Sequence, residues 1–381
     1  ALQSAYTSGG TYTSIKAALP TFTAPALTTF ATNVVNPKYL KWNLEVERSI
    51  GEKTALSLNY VGNHGYDLFL TNRSLNAYCS VAKCPTGFEG LPSSAPDTRF
   101  ANIREYDNGG FANYAGLTVS ATQRVTKGFT GTANYTWSHT LDELYEGGIE
   151  PLNALENPSF TVVIDPANVR KYNYASADQD VRQLFTANFY WELPIKVGSG
   201  DLAALTGGWI WSATFQHTTG TPFSAYYSSV YSSLLTNDTS GRALAIMNTK
   251  GTGSCGKPDP NSPCFNSSQF LKTVTPGAAQ TTWGGGYNTT RNNFRGPGYF
   301  DSDMGLTKNF TLNEKGMTLS FEAEAYNFFN HPNFDRPIGS LTSGSFGKIL
   351  ATVGQPNSPY GNFQGGAVNG RIVQSTIKLK F

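Results

Sequence analysis

Four cysteines are the residues whose spacing most directly indicates covalent chemistry in this chain. They form two close pairs, Cys79 with Cys84 and Cys255 with Cys264, in polar stretches rich in Pro and Gly. A zinc site would need different spacings, and none of the four His residues lies beside either pair. We therefore predict two disulfide bonds, Cys79–Cys84 and Cys255–Cys264, which fit an oxidising space outside the cytoplasm.

A second stretch has the spacing of a phosphate-binding loop. Residues Gly251 to Lys257 match G-x-x-x-x-G-K, but Pro258 stands where Ser or Thr would hold magnesium. The segment also lies in a predicted loop that carries two cysteines, rather than between a strand and a helix. We predict no nucleotide site there.

Paired acids offer a third kind of chemistry, proton transfer. Glu322 and Glu324 project from one face of a predicted strand, as an acid–base pair would require. Carboxylates on the polar face of a sheet more often pair with basic neighbours, and Lys378 and Lys380 lie on the last strand. We favour that structural pairing over a catalytic one.

The remaining titratable residues do not assemble into a site. Asp301 and Asp303 repeat the acidic spacing and receive the same structural interpretation. His139 and His331 each lie at the end of a predicted strand, and two separated His residues do not make a metal site. The sequence also carries no local Ser-His-Asp signature. We therefore predict no catalytic residue, no cofactor-binding residue and no metal ligand, and we do not expect an enzyme.

The last predicted strand holds the residues that say most about the class of protein. Working back from the terminal aromatic residue, Val373, Ile377, Leu379 and Phe381 share one face, and polar residues occupy the other. Alternation with period two places such side chains on one side of a sheet. A strand that ends a chain on Phe in this way resembles the C-terminal signal recognised by the barrel assembly machinery of bacterial outer membranes. An edge strand of a soluble sheet is the alternative.

The same alternation recurs in pairs of strands along the chain, and its apolar face is rich in aromatic residues. We predict that this face contacts lipid, with the rings forming girdles at the membrane interfaces. A platform for stacking sugars is the alternative. However, all of these rings lie on the strand face that is predicted to point outward, away from the lumen. The predicted lipid-facing aromatic residues are Trp42, Trp137, Phe185, Phe189, Trp191, Trp209, Trp211 and Phe321.

The order of turns and loops indicates how the chain is organised. We predict an N-terminal loop or lead-in segment at residues 1–37 and a barrel region at residues 38–381. Long loops are expected near residues 64–111, 140–180, 230–298 and 330–370. Compact soluble domains rarely contain structureless loops beyond about 15 residues. Short periplasmic turns and long extracellular loops are typical of outer-membrane barrels.

Composition agrees with a membrane barrel. Of 381 residues, 14% are charged and 13% are aromatic, and the mean hydropathy is −0.30. A net charge of +2 provides no concentrated basic face, so nucleic acid is not an expected partner. No apolar run approaches the roughly 18 residues of a membrane helix. In a barrel only every second strand residue must be apolar, which keeps mean hydropathy low. The sequence starts at Ala1 without a signal peptide, so we expect a mature product or a fragment.

Together these patterns predict an all-β fold, an antiparallel transmembrane β-barrel with meander order. We count about ten strands, so the barrel is either small and complete or partial. A soluble β-sandwich also alternates, but its outer face would carry more Lys and Glu than the hydroxyl- and amide-rich face here.

The expected location is the outer membrane of a Gram-negative-type bacterium, with the loops extracellular. The expected partners are outer-membrane lipid, the barrel assembly machinery and, for a partial barrel, other chains that complete the sheet.

Several motifs in a fixed order resemble one protein family. They are Tyr135–Glu143 (YTWSHTLDE), Asp180–Phe185 (DVRQLF), Trp191–Pro194 (WELP), Asn292–Gly298 (NNFRGPG) and Glu322–Phe334 (EAEAYNFFNHPNF). From about Tyr39 to Phe381 the chain resembles the C-terminal barrel half of large TonB-dependent outer-membrane receptors. The similarity is to the Oar-like type with a carboxypeptidase-regulatory domain, common in Acidobacteria.

The resemblance implies a barrel of about 22 strands, an N-terminal plug and a TonB box that couples uptake to the inner-membrane proton gradient. No plug-like domain precedes Tyr39 and no TonB box is evident. A TonB-type energy-coupling protein is therefore expected as a partner only if an N-terminal plug region exists. The leading hypothesis is a receptor or transporter barrel for uptake of an unidentified ligand. One alternative is a structural or adhesive surface scaffold without energised transport. Another is a small passive porin, but side chains would largely fill the narrow lumen of such a barrel.

Overall fold

The computed structural model describes most of the strands and the bases of most loops. The described residues are 7–18, 24–72, 75–79, 92–143, 174–227, 235–236, 243–244, 253–255, 263–270, 291–312, 317–353 and 370–381. No helix among these residues is long and apolar enough to cross a membrane.

Strands dominate the described residues. In the first half of the chain they are β1 (Leu27–Phe30), β2 (Lys38–Ile50), β3 (Thr54–Asn72), β4 (Tyr78–Cys79), β5 (Ile103–Thr126), β6 (Phe129–Asp142), β7 (Ala175–Ser176), β8 (Gln183–Glu192) and β9 (Trp209–Thr218). The rest are β10 (Pro222–Phe223), β11 (Tyr226–Tyr227), β12 (Leu235–Thr236), β13 (Ala243–Leu244), β14 (Gly253–Ser254), β15 (Phe294–Arg295), β16 (Tyr299–Thr311), β17 (Thr318–Tyr326) and β18 (Ile372–Lys380). The helices are Tyr12–Ala18, Gly200–Thr206 and a 3₁₀ turn at Ser267–Gln269.

Nine long strands form one antiparallel meander. The sheet order is β2-β3-β5-β6-β8-β9-β16-β17-β18, which follows chain order throughout. Each strand has at least the 9–11 residues, roughly, that a tilted transmembrane strand needs. The predicted all-β, antiparallel fold is therefore confirmed.

Tight turns close the hairpins at one end of the sheet. Strand β2 ends at Ile50, and Gly51 takes a positive φ of 64° in the turn to β3. Lys127 and Gly128 join β5 to β6 with φ of 50° and 78°. A two-residue turn with both φ values positive matches the twist of its strands. The connection from β8 to β9 also lies at this end and is longer, since it contains the helix Gly200–Thr206. The longest connections lie at the opposite end, which is the extracellular end in an outer-membrane barrel.

The register gives the sheet one apolar and one polar face. Phe185 pairs with Tyr135, Tyr135 with Val119, and Val119 with Leu58. Paired residues lie on the same side, so these side chains form an apolar row across four strands. Thr, Ser, Asn and Gln residues fill the neighbouring rows on the other side. We refer to these sides as the apolar face and the polar face.

Several boundaries differ from those predicted. Strand β3 continues to Asn72 and β5 begins at Ile103, so paired strand occupies both ends of the loop predicted at 64–111. The alternation in this part is broken by register shifts beyond Gly65, which hid the strand in the sequence. Within the predicted N-terminal loop, a helix spans Tyr12–Ala18 and β1 pairs in parallel with β5. Those segments are too short for a periodic pattern to reveal them.

The meander has two uncovered ends within the described residues. There, β2 pairs with β3 and β18 pairs with β17, and neither has a second neighbour. The whole of β2 is exposed, as is most of β18. Both strands run from the loop end to the turn end, since an odd number of antiparallel strands returns to its starting direction. The described sheet is thus an open, partial barrel wall.

Candidate functional site

Hydroxyl and amide side chains on the polar face bond to one another across the strands. The Thr118 and Thr136 hydroxyls lie 2.9 Å apart, and the Asn134 amide donates to Thr186 Oγ1 at 3.3 Å. Such ladders fix the side chains while leaving lone pairs and protons for water or solute. A face of this kind suits a hydrated lumen.

Carboxylates gather on the polar face around a cavity of about 360 Å³ between β8, β9, β16 and β17. Its polar lining includes Asn188, Thr214, Asp303 and Glu324. Glu324 accepts hydrogen bonds from the Tyr326 hydroxyl at 3.2 Å and from the Gln374 amide at 3.3 Å. This arrangement can present hydrogen-bond acceptors and negative charge to a solute within the barrel wall.

The acids predicted to be structural have mainly structural contacts. Lys378 Nζ lies 2.8 Å from Glu322 Oε2, which confirms the predicted pairing for these two residues. Asp301 accepts a hydrogen bond from the Ser302 backbone amide, and Asp303 accepts one from the Asn327 amide. Of these acids, Asp303 also contributes to the lining of the cavity, together with Glu324.

A charge network centred on a buried carboxylate lies at the loop end of the strands. The Asp180 side chain has no exposed surface and contacts three groups, His139 Nδ1 at 3.2 Å, Arg182 Nε at 2.9 Å and the Arg295 guanidinium. Arg182 also approaches His139 Nε2 at 3.1 Å. Burial alone would raise the pKa of Asp180, but hydrogen bonds from the Thr140 backbone amide and from Arg295 outweigh it, so the pKa lies below its ordinary value.

A second cluster continues the network across the same loop bases. Arg291 donates to Asp142 at the end of β6 and lies 3.6 Å from Asp178. Asn292 donates to Asp178 Oδ1 at 2.6 Å, and its backbone amide donates to Ser224 Oγ at 2.9 Å. The two clusters tie together the segments before β8, after β9 and before β16. Buried charges of this kind are tolerated when each is paired.

Sequence analysis missed the pairing in this network, although it singled out the motifs that carry it. Asp180 and Arg182 belong to one motif of the resemblance, and Arg295 belongs to another. Their contact spans 115 positions, which no local period can show. The sequence does show an Asp in one of these motifs and an Arg in the other. His139 was predicted to have no metal role, and the structure places it against Asp180.

Above the strand ends, aromatic side chains pack into a small core within the loops. Phe294 is buried and lies 5.0 Å from Phe265 and 5.8 Å from both Phe223 and Phe270, measured between ring centroids. Phe270 also packs edge-on against Phe346 at 5.3 Å. Edge-to-face contacts of this kind stabilise beyond the area they bury. The loops at this end therefore include a packed module.

One of the two predicted disulfides lies in this module. Cys255 and Cys264 are bonded, with Cα atoms 5.2 Å apart. The predicted partner of Cys79, Cys84, lies outside the described residues, and Cys79 is described only through its backbone in β4. The stretch that imitates a phosphate-binding loop, Gly251 to Lys257, falls mostly outside them as well.

All eight predicted lipid-facing aromatic residues share the apolar face in the register. Trp42, Trp137 and Phe185 are exposed there. Phe189 packs edge-on against Trp211 at 4.8 Å, and both belong to a half-buried aromatic group on β8 and β9. The group continues with Phe129, Trp191 and Phe215, while Trp209 and Phe321 lie on either side of Lys308 in the register.

The residues of the predicted C-terminal assembly signal also lie on the apolar face. Val373 pairs with Ala325, Ile377 with Phe321, and Leu379 with Leu319. Phe381 ends the chain almost fully exposed, at 98%. Within the described residues, β18 therefore presents an exposed apolar stripe next to an unpaired backbone edge.

Comparison with known proteins decides the class. A family model described as "Outer membrane beta barrel domain" matches residues 2–374. The chain belongs to this family. Its location is accordingly the outer membrane, where the long loops of such a barrel are extracellular. Assigning the apolar face to lipid and the polar face to the lumen follows from the chemistry of barrels in this membrane.

Two further comparisons add context to the barrel domain. No curated protein matches the sequence. Among solved structures, the chain is similar to the outer membrane transporter YddB from Escherichia coli, with 10% sequence identity and a TM-score of 0.44. The match covers 93% of this chain and 35% of the YddB chain, so the barrel domain spans about a third of that protein's length.

Proposed function

We propose that the chain supplies the C-terminal strands of a TonB-dependent receptor barrel that takes up an unidentified ligand. The observation that carries this proposal is the open wall, in which β2 and β18 each have one neighbour within the described residues and run in the same direction. A wall of this kind is suited to be part of a larger barrel, and a larger barrel has a lumen wide enough for a substrate.

Strand direction constrains how the wall is completed. Joining β18 directly to β2 would create a parallel pair, since both run from the loop end to the turn end. Single-chain bacterial barrels are antiparallel with an even number of strands. Adding an odd number of strands to the nine described ones restores that pattern. The proposal therefore includes a further segment with an odd strand count, next to both edges.

The polar face and the loop bases provide the surfaces that a ligand would contact during the proposed uptake. The extracellular loops would meet the ligand first, and the buried network around Asp180 holds their bases in place. The cavity beside Glu324 and Asp303 offers acceptors along the inner wall. A TonB-type protein would act on an N-terminal plug rather than on these strands, so that partner belongs to the proposal and not to the barrel wall itself.

One observation favours a second candidate, a structural or adhesive surface scaffold. The loop module around Phe294 is packed and includes the Cys255–Cys264 disulfide. A rigid extracellular module can bind a surface partner without any transport. The same module could equally form one wall of a ligand-binding vestibule, so an experiment must separate the two functions.

Measuring uptake in living cells distinguishes a receptor from a scaffold. Cells of the producing bacterium are compared with an in-frame deletion for accumulation of a radiolabelled ferric hydroxamate, a ferric catecholate, cobalamin and a maltooligosaccharide. Each compound is measured with and without a protonophore. We expect the deletion to lower uptake of at least one compound, and the protonophore to abolish the difference between the strains.

Two results would contradict the receptor proposal. Uptake that depends on the gene but resists the protonophore would indicate a passive pore. Unchanged uptake of every compound, together with a loss of cell-surface adhesion in the deletion strain, would support the scaffold instead. Re-expression of the intact gene serves as the control for both outcomes.

A further inference from the structure

The connection between β8 and β9 is a folded unit rather than a tight turn. It contains the helix Gly200–Thr206 and lies at the turn end of the sheet, which is the periplasmic end. The Thr206 hydroxyl bridges the unit, accepting from the Val197 amide at 2.9 Å and contacting the Val197 and Leu202 carbonyls at 3.2 and 2.8 Å. These contacts hold the extended segment before the helix against the helix itself.

Two side chains of the apolar face fasten this unit to the outside of the wall. Trp209 Nε1 donates to the Leu205 carbonyl at 3.1 Å, and Lys308 Nζ donates to the Gly207 carbonyl. Trp209 and Lys308 are register partners, and Lys308 also pairs with Phe321 on the apolar face. The C-terminal end of the helix is therefore attached on the lipid side of the sheet and not over the lumen.

Lys308 would be an unfavourable residue on this face without the connection. Its side chain is only 3% exposed, and its ammonium lies 5.1 Å from the Phe310 ring centroid and 6.0 Å from that of Trp209. A lysine on a lipid-facing strand is tolerated best near the membrane interface. Aromatic faces and a carbonyl oxygen further stabilise the ammonium here. The position thus marks the level of the periplasmic interface.

At that level the connection exposes four apolar side chains within eleven residues. Ile195, Val197, Leu202 and Leu205 are 51%, 55%, 52% and 57% exposed, respectively. Leu202 and Leu205 are three residues apart and therefore share one side of the helix, while Ala203 is buried. The Trp209 hydrogen bond to the Leu205 carbonyl places this end of the helix beside the apolar face. Because water would surround these side chains in a free periplasmic turn, their exposure needs another explanation.

We propose that this connection is an interfacial anchor whose occupant is phospholipid of the periplasmic leaflet. Ile195, Val197, Leu202 and Leu205 insert among the outer ends of the acyl chains, beside the lipid that covers the apolar face. Short helices with apolar residues on one side lie in the plane of a membrane interface in this way. The inference rests on membership of the outer-membrane barrel family and is independent of the proposed uptake.

Fluorescence quenching in vesicles tests the anchor. The whole protein, purified from outer membranes, carries Leu202→Cys, Leu205→Cys or Val197→Cys in a background with Cys79→Ser and Cys84→Ser. Each variant is labelled with bimane without reduction and reconstituted into phosphatidylethanolamine and phosphatidylglycerol vesicles. Ala204→Cys, exposed on another side of the same helix, is the matched control. Heat-modifiable migration on gels verifies folding of each variant.

We expect lipids brominated near the upper acyl carbons to quench labels at the three anchor positions at least about twofold more than the label at Ala204. Aqueous iodide should show the opposite order. Equal quenching of all four labels by iodide, with none by brominated lipid, would overturn the proposal. So would labels that iodide reaches in vesicles but not in intact outer membranes, since a periplasmic protein would then be the occupant. If Leu205→Cys fails to fold, Val197→Cys outside the helix gives the same test.

Discussion

The carboxylate of Asp180 accepts a hydrogen bond from the guanidinium of Arg295, which lies 115 residues later in the chain. The pair joins the segment before β8 to the segment before β16. Arg295 also donates to the backbone carbonyls of Asp180 and Gly220, at 2.9 and 3.1 Å. Two long loops that are distant in sequence therefore share one buried anchor at the extracellular end of the wall.

Removing the Asp180 charge should destabilise the loop bases. Asp180→Asn leaves Arg182 and Arg295 without their shared counter-ion. Breaking a fully buried pair costs about 3–5 kcal/mol, and the partial exposure of both arginines makes the expected loss smaller than that. We expect a lower unfolding temperature of the purified protein, measured by circular dichroism. Arg99→Ala is the control, because its pair with Asp97 lies at the surface. Equal effects of the two substitutions would show that the network does not stabilise the fold.

The same carboxylate should make stability depend on acid. Since folding lowers the pKa of Asp180, its stabilising contribution is present above the unfolded pKa of about 3.9 and is lost as pH falls through the folded value below it. We expect the free energy of unfolding of the wild type to fall as the solution is acidified below about pH 4. Asp180→Asn should show a flatter profile in that window. Denaturant titrations at several pH values measure both.

The disulfide between Cys255 and Cys264 should act locally. It closes a loop with a sequence separation of 9. In the chain-entropy account, removing a disulfide that closes a loop of that size lowers the free energy of unfolding by about 2–3 kcal/mol. Cys255→Ser with Cys264→Ser should raise hydrogen exchange around Phe294 and leave the strands β5 and β6 unchanged. Intact mass before and after reduction would also count the disulfides, where we expect two, including the predicted Cys79–Cys84.

Assembly should depend on the last residue more than stability does. Phe381 is almost fully exposed, so its own packing contributes little to the folded wall. We expect Phe381→Ser to reduce the amount of heat-modifiable protein in outer membranes and to increase its degradation in the periplasm. Lys380→Ser, one residue earlier on the other face, is the matched control. Equal losses for both variants would argue against recognition of the terminal aromatic residue.

Sequence alone predicted the features that depend on period two. Alternation located β17 and β18, and it placed Phe321 and Ile377 on one face and Glu322 with Lys378 on the other. It failed where no such period exists. The helix Gly200–Thr206 is seven residues long, too short for a helical repeat to show. The Asp180–Arg295 pair forms because the meander brings two loop bases together. The order of strands in the sheet determines that contact, and no local sequence pattern shows it.

Closure of the wall gives the last prediction. In lipid, each unsatisfied backbone group costs several kcal/mol, so two free edges along β2 and β18 would not persist in a native membrane. The two strands do not pair with each other within the described residues, and they run parallel, which leaves a further segment or another chain as the neighbour. We expect slow amide hydrogen exchange along Lys38–Ile50 and Ile372–Lys380 in protein kept in outer-membrane vesicles. The paired interior strand β8 supplies the reference rate. Fast exchange along both edge strands, with β8 protected, would show that the wall stands open in the membrane and would contradict the proposed larger barrel.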